Sequence, residues 1–452
     1  MPFKDNAIFL KPAMKTPWKL QYPKLDWLVI SAIFTFPIVF MTVRHGVHVP
    51  LFFLLLLAIY QFLAKTPTSF NIDSRQDGLI IFLFASLFLS VLVSQSFRGA
   101  LNFPAFDGPS RIFFAGIVCL FLKQWNIPYI KILGIAIPLG LIATFITLRL
   151  YPEAFWGGRY ATYFVDPNTL GSQAFILGLL SLLTIRSLGQ ESIFLLLLKF
   201  IGGALGLYIS IGSGSRGAWL TAPFIFLMLF IFRVGDINSA PDSKKLKMWL
   251  QTFLVILLVF GALAASFYFS EKLSSRVISA YFEVCNWFSG ADLEGSAGIR
   301  LSMWKFSFQF ANESLLFGYG EEKNMLITLS NSPLNTLENQ VAIGTMANTG
   351  PHSDILSKLL SAGIFSLTAY LLLLAAPFYI FWQHRNSENS DKKTASRIGI
   401  YYIVGIFIAG FSNEQLSLKY LCTFYGLMIA TLLAQVLYRA TSEMQKEQQY
   451  LQ

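Results

Sequence analysis

The feature that most constrains the fold is a series of long apolar segments that recurs along most of the chain. Hydrophobic residues make up 55% of the 452 residues, whereas charged residues make up only 13%. Segments of ~20 apolar residues match the thickness of a bilayer core. Because backbone N–H and C=O groups find no water in lipid, a segment that crosses the bilayer forms a helix. The sequence therefore predicts an all-α polytopic membrane protein.

The apolar segments predict twelve transmembrane helices. They cover residues 26–43, 49–64, 78–94, 109–122, 131–149, 168–185, 192–211, 217–232, 249–269, 354–382, 397–413 and 418–438. Residues 26–269 then contain spans one to nine, and residues 354–438 contain spans ten to twelve. Residues 1–25 and 439–452 form an N-terminal segment and a C-terminal tail, which an even number of spans places on the same side of the membrane.

The distribution of Lys and Arg predicts the orientation. The loops 233–247 and 384–397 are basic, whereas the loop 413–417 carries only Glu414. Because basic loops are retained in the cytoplasm, we expect both termini to be cytoplasmic. The same loops explain the formal net charge of +10 without a nucleic-acid partner.

Residues 270–353 form one connection far longer than any other, and we predict that it lies outside the membrane on the non-cytoplasmic side. Loops beyond ~12–15 residues are usually functional or disordered. The many aromatic residues of this loop favour a small packed cap. Within it, Ile299–Phe310 favours a helix at the interface over a strand, and Leu316–Gly320 is typical of a turn.

Known cofactor motifs are not evident in the sequence. Cys119, Cys285 and Cys422 form no spacing motif, which argues against a disulfide framework or a zinc site. There is no P-loop, no dinucleotide fingerprint and no His/Cys/carboxylate cluster with metal-ligand spacing. We therefore expect neither a metal nor a cofactor.

A glycine-rich connection between two spans contains the first candidate site residues. Gly212–Gly217 permits a tight backbone turn, so that several N–H groups point outward at the start of the next helix. Arg216 in this connection can bind phosphate oxygens with two parallel hydrogen bonds, and Ser215 lies beside it. The structural alternative is an arginine that anchors a helix end at the membrane interface.

Three further segments on the non-cytoplasmic side contain polar candidates. Arg159 precedes Asp166-Pro167-Asn168, a typical helix start, so capping is the alternative to substrate binding by Arg159 and Asn168. Arg300 lies four residues before Trp304 in the large loop, where solvation or cation–π stacking on Trp304 is the alternative to anion binding. Arg276 is a weaker candidate of the same kind.

His352 is the candidate for proton transfer. It follows Thr349-Gly350-Pro351 and precedes the tenth span, and the spacing to Gly363 predicts that both lie on one helix face. Because the pKa of histidine is ordinarily near neutral pH, His352 could accept a proton from a sugar hydroxyl. A single interfacial histidine is also commonly structural.

Together these residues resemble the O-antigen ligase/O-antigen polymerase superfamily of bacterial envelope glycosyltransferases, and the O-antigen ligases most. The resemblance covers roughly residues 157–363. It is carried by Arg159 with Asp166-Pro167-Asn168, by Ser213–Ala218, by Arg300–Trp304 with Gly318–Gly320, and by His352-Ser353 with Gly363. The ligase pattern continues with two residues and then Gly, Thr or Tyr, where this chain has Ser366.

The resemblance implies an enzyme that transfers a glycan from undecaprenyl pyrophosphate to lipid A–core, on the periplasmic face of the inner membrane and without metal. His352 would be the general base, and Arg216 and Arg300 would stabilise the leaving pyrophosphate. Substrate-binding positions would be Arg159, Arg276, Ser215, Asn168 and Trp304. An O-antigen polymerase, with a second lipid-linked repeat as acceptor, is one alternative. A transporter is another, favoured only by Lys199 within the seventh span.

Overall fold

The computed structural model describes residues 23–64, 75–99, 101–185, 191–269, 271–290, 295–320, 328, 333–336 and 339–438. All regular elements in this part of the chain are helical, as the apolar segments predict. The helices are α1 (Pro23–Val39), α2 (His48–Leu63), α3 (Arg75–Arg98), α4 (Asp107–Leu122), α5 (Tyr129–Leu150), α6 (Pro167–Leu183), α7 (Ile193–Ser213), α8 (Arg216–Trp219), α9 (Thr221–Asn238), α10 (Asp242–Phe269), α11 (Glu271–Ser289), α12 (Ser296–Ala311), α13 (Gln340–Thr349), α14 (Asp354–His384), α15 (Ser390–Ala409) and α16 (Lys419–Leu437). The tail 439–452 and most of the N-terminal segment 1–25 lie outside the described residues.

Each of the twelve predicted spans coincides with helix: α1 to α7 in order, then α8 with α9, α10, α14, α15 and α16. Seven described helices are long and apolar enough to cross a membrane. They are Arg75–Arg98, Phe103–Leu122, Tyr129–Leu150, Ile193–Ser213, Arg216–Asn238, Asp354–His384 and Lys419–Leu437. The chain is therefore a multi-pass membrane protein, and the number of twelve spans stays a prediction.

Glycines bring α6 and α7 into close contact. A Cβ atom at Gly178 would lie 2.9 Å from the Cα of Gly206, and one at Gly206 would lie 2.5 Å from the carbonyl oxygen of Ala174. Small residues of this kind let two membrane helices approach closely. Because α6 and α7 are antiparallel neighbours, the start of α6 and the glycine-rich connection after α7 lie at the same end of the pair.

The buried centre of the helical body is formed around α16. In its apolar window 83% of the residues are buried, against 22% for Arg216–Asn238 at the periphery. The Phe424 ring of α16 stacks on Phe40 with ring centroids 3.8 Å apart. This central helix begins directly after the loop 410–418, so that loop is placed against the core rather than at its edge.

The described part of residues 270–353, called the cap below, is helical, and α12 confirms a helix rather than a strand at Ile299–Phe310. Phe306 and Phe310 of α12 are buried with Met346 of α13 and Leu359 of α14. The Phe310 ring stacks on Tyr319 at 4.0 Å. The cap therefore has a small apolar core of its own that continues onto α14.

α14 is broken at one turn, where the segment 315–320 crosses it. Ala362 and Gly363 have non-helical dihedral angles, and Gly363 has φ +69°. Across this break Tyr319 N donates to Leu360 O at 2.7 Å, and Ile364 N donates to Leu315 O at 2.9 Å. A Cβ atom at Gly363 would overlap the carbonyl oxygen of Leu316. Glycine is required here because the backbone is left-handed and another backbone lies against it.

The start of α14 corrects one sequence expectation, and its break adds detail to another. The predicted span 354–382 coincides with α14, which contains this non-helical turn. The predicted common helix face of His352 and Gly363 is wrong, because α14 begins at Asp354 and His352 precedes it in an irregular backbone. The physical reason is the same in both cases: contacts with other segments replace the helical hydrogen bonds of this region.

Candidate active site

The segment before α14 is held by the loop 410–416. The Asp354 carboxylate is fully buried and accepts hydrogen bonds from Gln415 N at 3.0 Å and Leu416 N at 2.9 Å. Asp354 N donates in turn to Gly410 O at 2.8 Å. These three bonds attach the start of α14 to the core and so determine the position of His352, two residues earlier.

His352 has an unusual backbone and a defined side-chain partner. Its φ is +50°, a value rare for residues other than glycine and common at functional sites. Its side chain forms a hydrogen bond with Asn413. The Asn413 amide donates from Nδ2 to Thr169 Oγ1 at 2.9 Å, so the partner is itself oriented by α6. The imidazole is thereby oriented through a chain of bonds rather than left to rotate.

The environment of His352 favours the neutral imidazole. Burial lowers the pKa of His352 below its ordinary value of 6.5, and the positive charge of Arg300 lowers it further. Asp166 and the hydrogen bond to Asn413 act in the opposite direction and raise this pKa. A neutral imidazole at pH 7 can accept a proton, as a general base must. The electrostatic effects of Arg300 and Asp166 also place both groups within range of His352.

Two side chains one turn apart on α12 have unsatisfied donors. The Nε atom of Arg300 and the Nε1 atom of Trp304 are buried, and neither has a hydrogen-bond partner in the described part of the chain. The described contact of the Arg300 guanidinium is a bond of 3.3 Å from Nη1 to Ser296 Oγ. Burial lowers the pKa of Arg300, and Arg216 lowers it further by repulsion. Buried donors without partners are rare in native proteins and each needs an explanation, of which an acceptor supplied by a ligand is one.

Two residues of the cap helix α11 bind the Arg216 side chain. Its Nη1 atom lies 3.1 Å from both carboxylate oxygens of Glu283, and its Nη2 atom donates to Ser279 Oγ at 2.9 Å. Glu283 Oε2 also accepts from Ala297 N, at 2.7 Å, at the start of α12. One carboxylate therefore connects the glycine-rich connection to the two cap helices α11 and α12. It also brings Arg216 near Arg300.

Asn168 forms hydrogen bonds with both Arg159 and Ser215. Arg159 Nε donates to Ser213 O at 2.7 Å, and its Nη2 donates to Asn168 Oδ1 at 2.8 Å. Ser215 Oγ donates to Asn168 O at 3.2 Å. These bonds join the glycine-rich connection to the start of α6. A substrate-binding role for the three residues stays a prediction, and Arg159 also lines a cavity of about 280 Å³.

The helix start predicted at Asp166-Pro167-Asn168 is confirmed. The Asp166 side chain accepts from Asn168 N at 2.9 Å and from Thr169 N at 3.1 Å, so it caps α6. The same carboxylate influences the pKa of His352, so capping and an electrostatic effect on the site coexist in one residue. Arg276 is part of α11, but its side chain lies outside the described residues.

Among the predicted residues, Arg300 lowers the pKa of His352 and Arg216 lowers that of Arg300, so electrostatic effects link the three in two steps. Cation–π stacking of Arg300 on Trp304 is not among the cation–π pairs of the described residues. Sequence reasoning missed Glu283 and Asn413. Glu283 has no local signal, because its partner lies 67 residues away. Asn413 lies beside Glu414 in a short polar loop, and this polarity is the one sign in the sequence that the loop belongs to the site.

Part of the chain matches a known protein family. Residues 201–371 match the family model described as O-antigen ligase. This segment belongs to the O-antigen ligase superfamily. It includes Arg216, Arg300, Trp304 and His352, whereas Arg159 and Asn168 lie before it. The O-antigen ligase match implies a glycosyltransferase-like enzyme that acts on lipid-linked glycans in a membrane. No curated protein matches the chain.

Proposed function

We propose that this protein is an O-antigen ligase that transfers a glycan from undecaprenyl pyrophosphate to lipid A–core. In this proposal the protein lies in the bacterial inner membrane with twelve spans and cytoplasmic termini. The group of His352, Arg300 and Arg216 then faces the periplasm beneath the cap of residues 270–353. Both substrates are lipids, so each enters laterally between helices.

The main support for the proposal is a single observation. Arg300 and Trp304 present two buried donors without described partners, next to a second arginine and within electrostatic range of His352. A pyrophosphate supplies the acceptor oxygens and negative charge that such a group requires. A structural arginine would instead have its donors satisfied.

The proposed reaction is a single displacement. His352 takes the proton of the acceptor hydroxyl while that oxygen forms a bond with the anomeric carbon of the donor glycan. The bond between this carbon and the pyrophosphate oxygen breaks, and undecaprenyl pyrophosphate leaves with the electron pair. Arg300 and Arg216 stabilise the charge that develops on the leaving group, at a site with little water. Such a displacement inverts the anomeric centre.

Glu283 is part of this proposal because its carboxylate is already bound to the Arg216 guanidinium. Its carboxylate accepts from a single nitrogen, Nη1, through both oxygens, so a negatively charged group already lies at this guanidinium. The donor pyrophosphate therefore competes with Glu283 for Arg216 or shares it. Arg300, whose Nε is unpartnered among the described residues, is the first cation available to the donor.

The test is a gel of lipopolysaccharide from cells that lack the gene, complemented with wild type, Arg300→Gln or Arg44→Gln. We expect deletion to leave core-length lipopolysaccharide while undecaprenyl-linked polymer accumulates. Wild type and Arg44→Gln should restore the ladder, because Arg44 is exposed and far from the site residues in sequence. Arg300→Gln should fail at normal protein level, since loss of one preorganised donor lowers the rate by about 10²–10³-fold. An unchanged ladder on deletion would contradict the proposal.

An O-antigen polymerase is the second candidate, and Ser366 is the observation that favours it. The ligase pattern has Gly, Thr or Tyr at this position, and Ser366 is buried in α14 behind the break at Gly363. The same gel separates the two activities, because loss of a polymerase leaves core with a single repeat. Transport has less support, since Lys199 is buried in an ion pair with Glu191 at 2.5 Å.

The pH dependence of transfer provides a separate prediction. The pKa of His352 lies below 6.5, so activity is expected to fall only as the pH drops through that lower value. Asp166 raises this pKa, and Asp166→Asn removes the negative charge while its amide oxygen can still cap α6. The pKa of His352 then falls, and the acidic limb of the kcat/KM profile moves to lower pH. An unmoved limb, or one at higher pH, would argue against His352 as the base.

A further inference from the structure

A cavity of about 450 Å³ lies beside the proposed catalytic segment. Gly350 and Pro351, the two residues before His352, form part of its wall, together with residues of α3, α4 and α14 and of the loop before α16. Its charged lining residues are Arg98, Asp107, Lys358, Glu414 and Lys419. The proposed transfer reaction gives no role to any of them.

Two cations in this wall are held by neutral groups. Arg98 Nη1 donates to Ser361 O at 3.1 Å, and Lys358 Nζ donates to Leu416 O at 2.7 Å. Carbonyl oxygens orient a cation without neutralising it, so Arg98 can still attract an anion, and Lys358 can do so in addition to attracting the carboxyls of Asp354 and Glu414. Lys419 differs because it forms an ion pair with Asp107 at 3.0 Å.

Glu414 adds a buried carboxyl to the same cavity. Its Oε2 atom accepts from Ser357 Oγ at 3.2 Å, whereas its Oε1 atom is buried and has no partner among the described residues. Burial raises the pKa of Glu414 to about 7. A carboxyl in this state can accept a hydrogen bond from a hydroxyl or, when protonated, donate one. Hydroxyl groups of a sugar match this capacity.

Two glycines with left-handed backbones make room for these side chains. Gly320 has φ +90°, and a Cβ atom there would lie 2.8 Å from Arg98 Nη1. Gly350 has φ +70°, and a Cβ atom there would overlap Glu414 Oε1. The backbone is therefore shaped around the guanidinium on one side and the carboxyl on the other, which distinguishes this cavity from an accidental gap.

We propose that the cavity binds a phosphorylated sugar of the acceptor glycolipid, with the phosphate on Arg98 and Lys358 and a sugar hydroxyl on Glu414. This inference rests on the proposed transferase function. The donor pyrophosphate is assigned to Arg300 of α12 and Arg216 of α8, two helices that do not line this cavity. When the phosphorylated sugar is bound beside Gly350–Pro351, the neighbouring sugars of the acceptor lie beside His352. Binding energy from this remote phosphate would then orient the reacting hydroxyl.

The test measures binding of lipid A–core to the purified full-length protein in nanodiscs, with the native glycolipid and with the same glycolipid after chemical dephosphorylation. We expect Arg98→Gln and Lys358→Gln each to weaken binding of the native glycolipid by about tenfold, the effect of one charge-assisted hydrogen bond. Both variants should bind the dephosphorylated form as weakly as wild type does. Arg44→Gln, an exposed arginine outside the cavity, should bind the native form normally.

Kinetics with both substrates complete the test. Arg98→Gln and Lys358→Gln should raise KM for the acceptor and leave KM for the undecaprenyl-linked donor unchanged, and Lys358→Arg should restore most of the loss. A raised KM for the donor, or equal binding of native and dephosphorylated glycolipid by wild type, would overturn the assignment. If wild type binds the phosphorylated glycolipid through Arg98 and Lys358 but transfers nothing to it, the proposed function fails and the binding site stands.

Discussion

Replacing His352 by asparagine is expected to lower kcat for glycan transfer by about 10²–10⁴-fold, the usual contribution of a general base. Asparagine is the informative replacement because it tolerates the left-handed backbone of this position, where φ is +50°. It also keeps a polar side chain near Asn413 but cannot take up a proton at neutral pH. Transfer by the purified variant, followed as loss of the lipid-linked donor, measures the effect.

His45 provides a matched control for this replacement. It is the other described residue besides glycine with a positive φ, at +63°, and its side chain is exposed. His45→Asn should therefore carry the same change in backbone preference and side-chain chemistry without loss of transfer. If His352→Asn retains more than a tenth of wild-type activity at equal protein level, the base is another group.

Replacing Gly363 by alanine is expected to destabilise the protein by about 3 kcal/mol, since it combines left-handed strain with overpacking. The new Cβ atom would overlap the Leu316 carbonyl, where the segment 315–320 crosses the broken turn of α14. Neither backbone can move easily, because Tyr319 N and Ile364 N are hydrogen-bonded across the crossing. Thermal unfolding in detergent, monitored by size-exclusion chromatography after heating, should show a midpoint several degrees lower.

Gly235 is the control for a change from glycine to alanine. It lies in α9, and a Cβ atom there would meet no atom within 4 Å. Gly235→Ala should leave stability unchanged or raise it slightly, because alanine favours helix over glycine. An unfolding midpoint of Gly363→Ala equal to that of wild type would show that the crossing at Gly363 is not a rigid contact.

These two positions illustrate what sequence reasoning could reach. The resemblance to O-antigen ligases pointed to both His352 and Gly363, but spacing placed them on one helix face. In the structure, His352 instead lies in a non-helical segment held by the loop 410–416. Gly363 lies where the segment 315–320 crosses α14. Spacing rules assume a regular helix. They fail here because the local backbone is determined by partners more than 40 residues away.

The residues of the candidate site also fall into two sets: those that the sequence indicates and those that only the fold reveals. Arg216, Arg300 and His352 were identified as separate unusual residues, since cations and a histidine at membrane edges are costly unless they have a use. In the structure, Glu283 joins Arg216 to the cap, and Asn413 is a hydrogen-bond partner of His352. Neither partner could be identified from the chain, because each is an ordinary polar residue until the fold brings it to the site.

The sequence by itself determined the class of fold and the positions of most helices. Bilayer thickness and the need to satisfy backbone hydrogen bonds leave few alternatives for apolar segments of this length. Tertiary structure alone decided the break in α14, the unpartnered donors of Arg300 and Trp304, and the cavity lined by Arg98, Lys358 and Glu414. Helix formation is a local property that each segment carries in its own composition. The site and the cavity arise from contacts between distant segments, which composition does not encode.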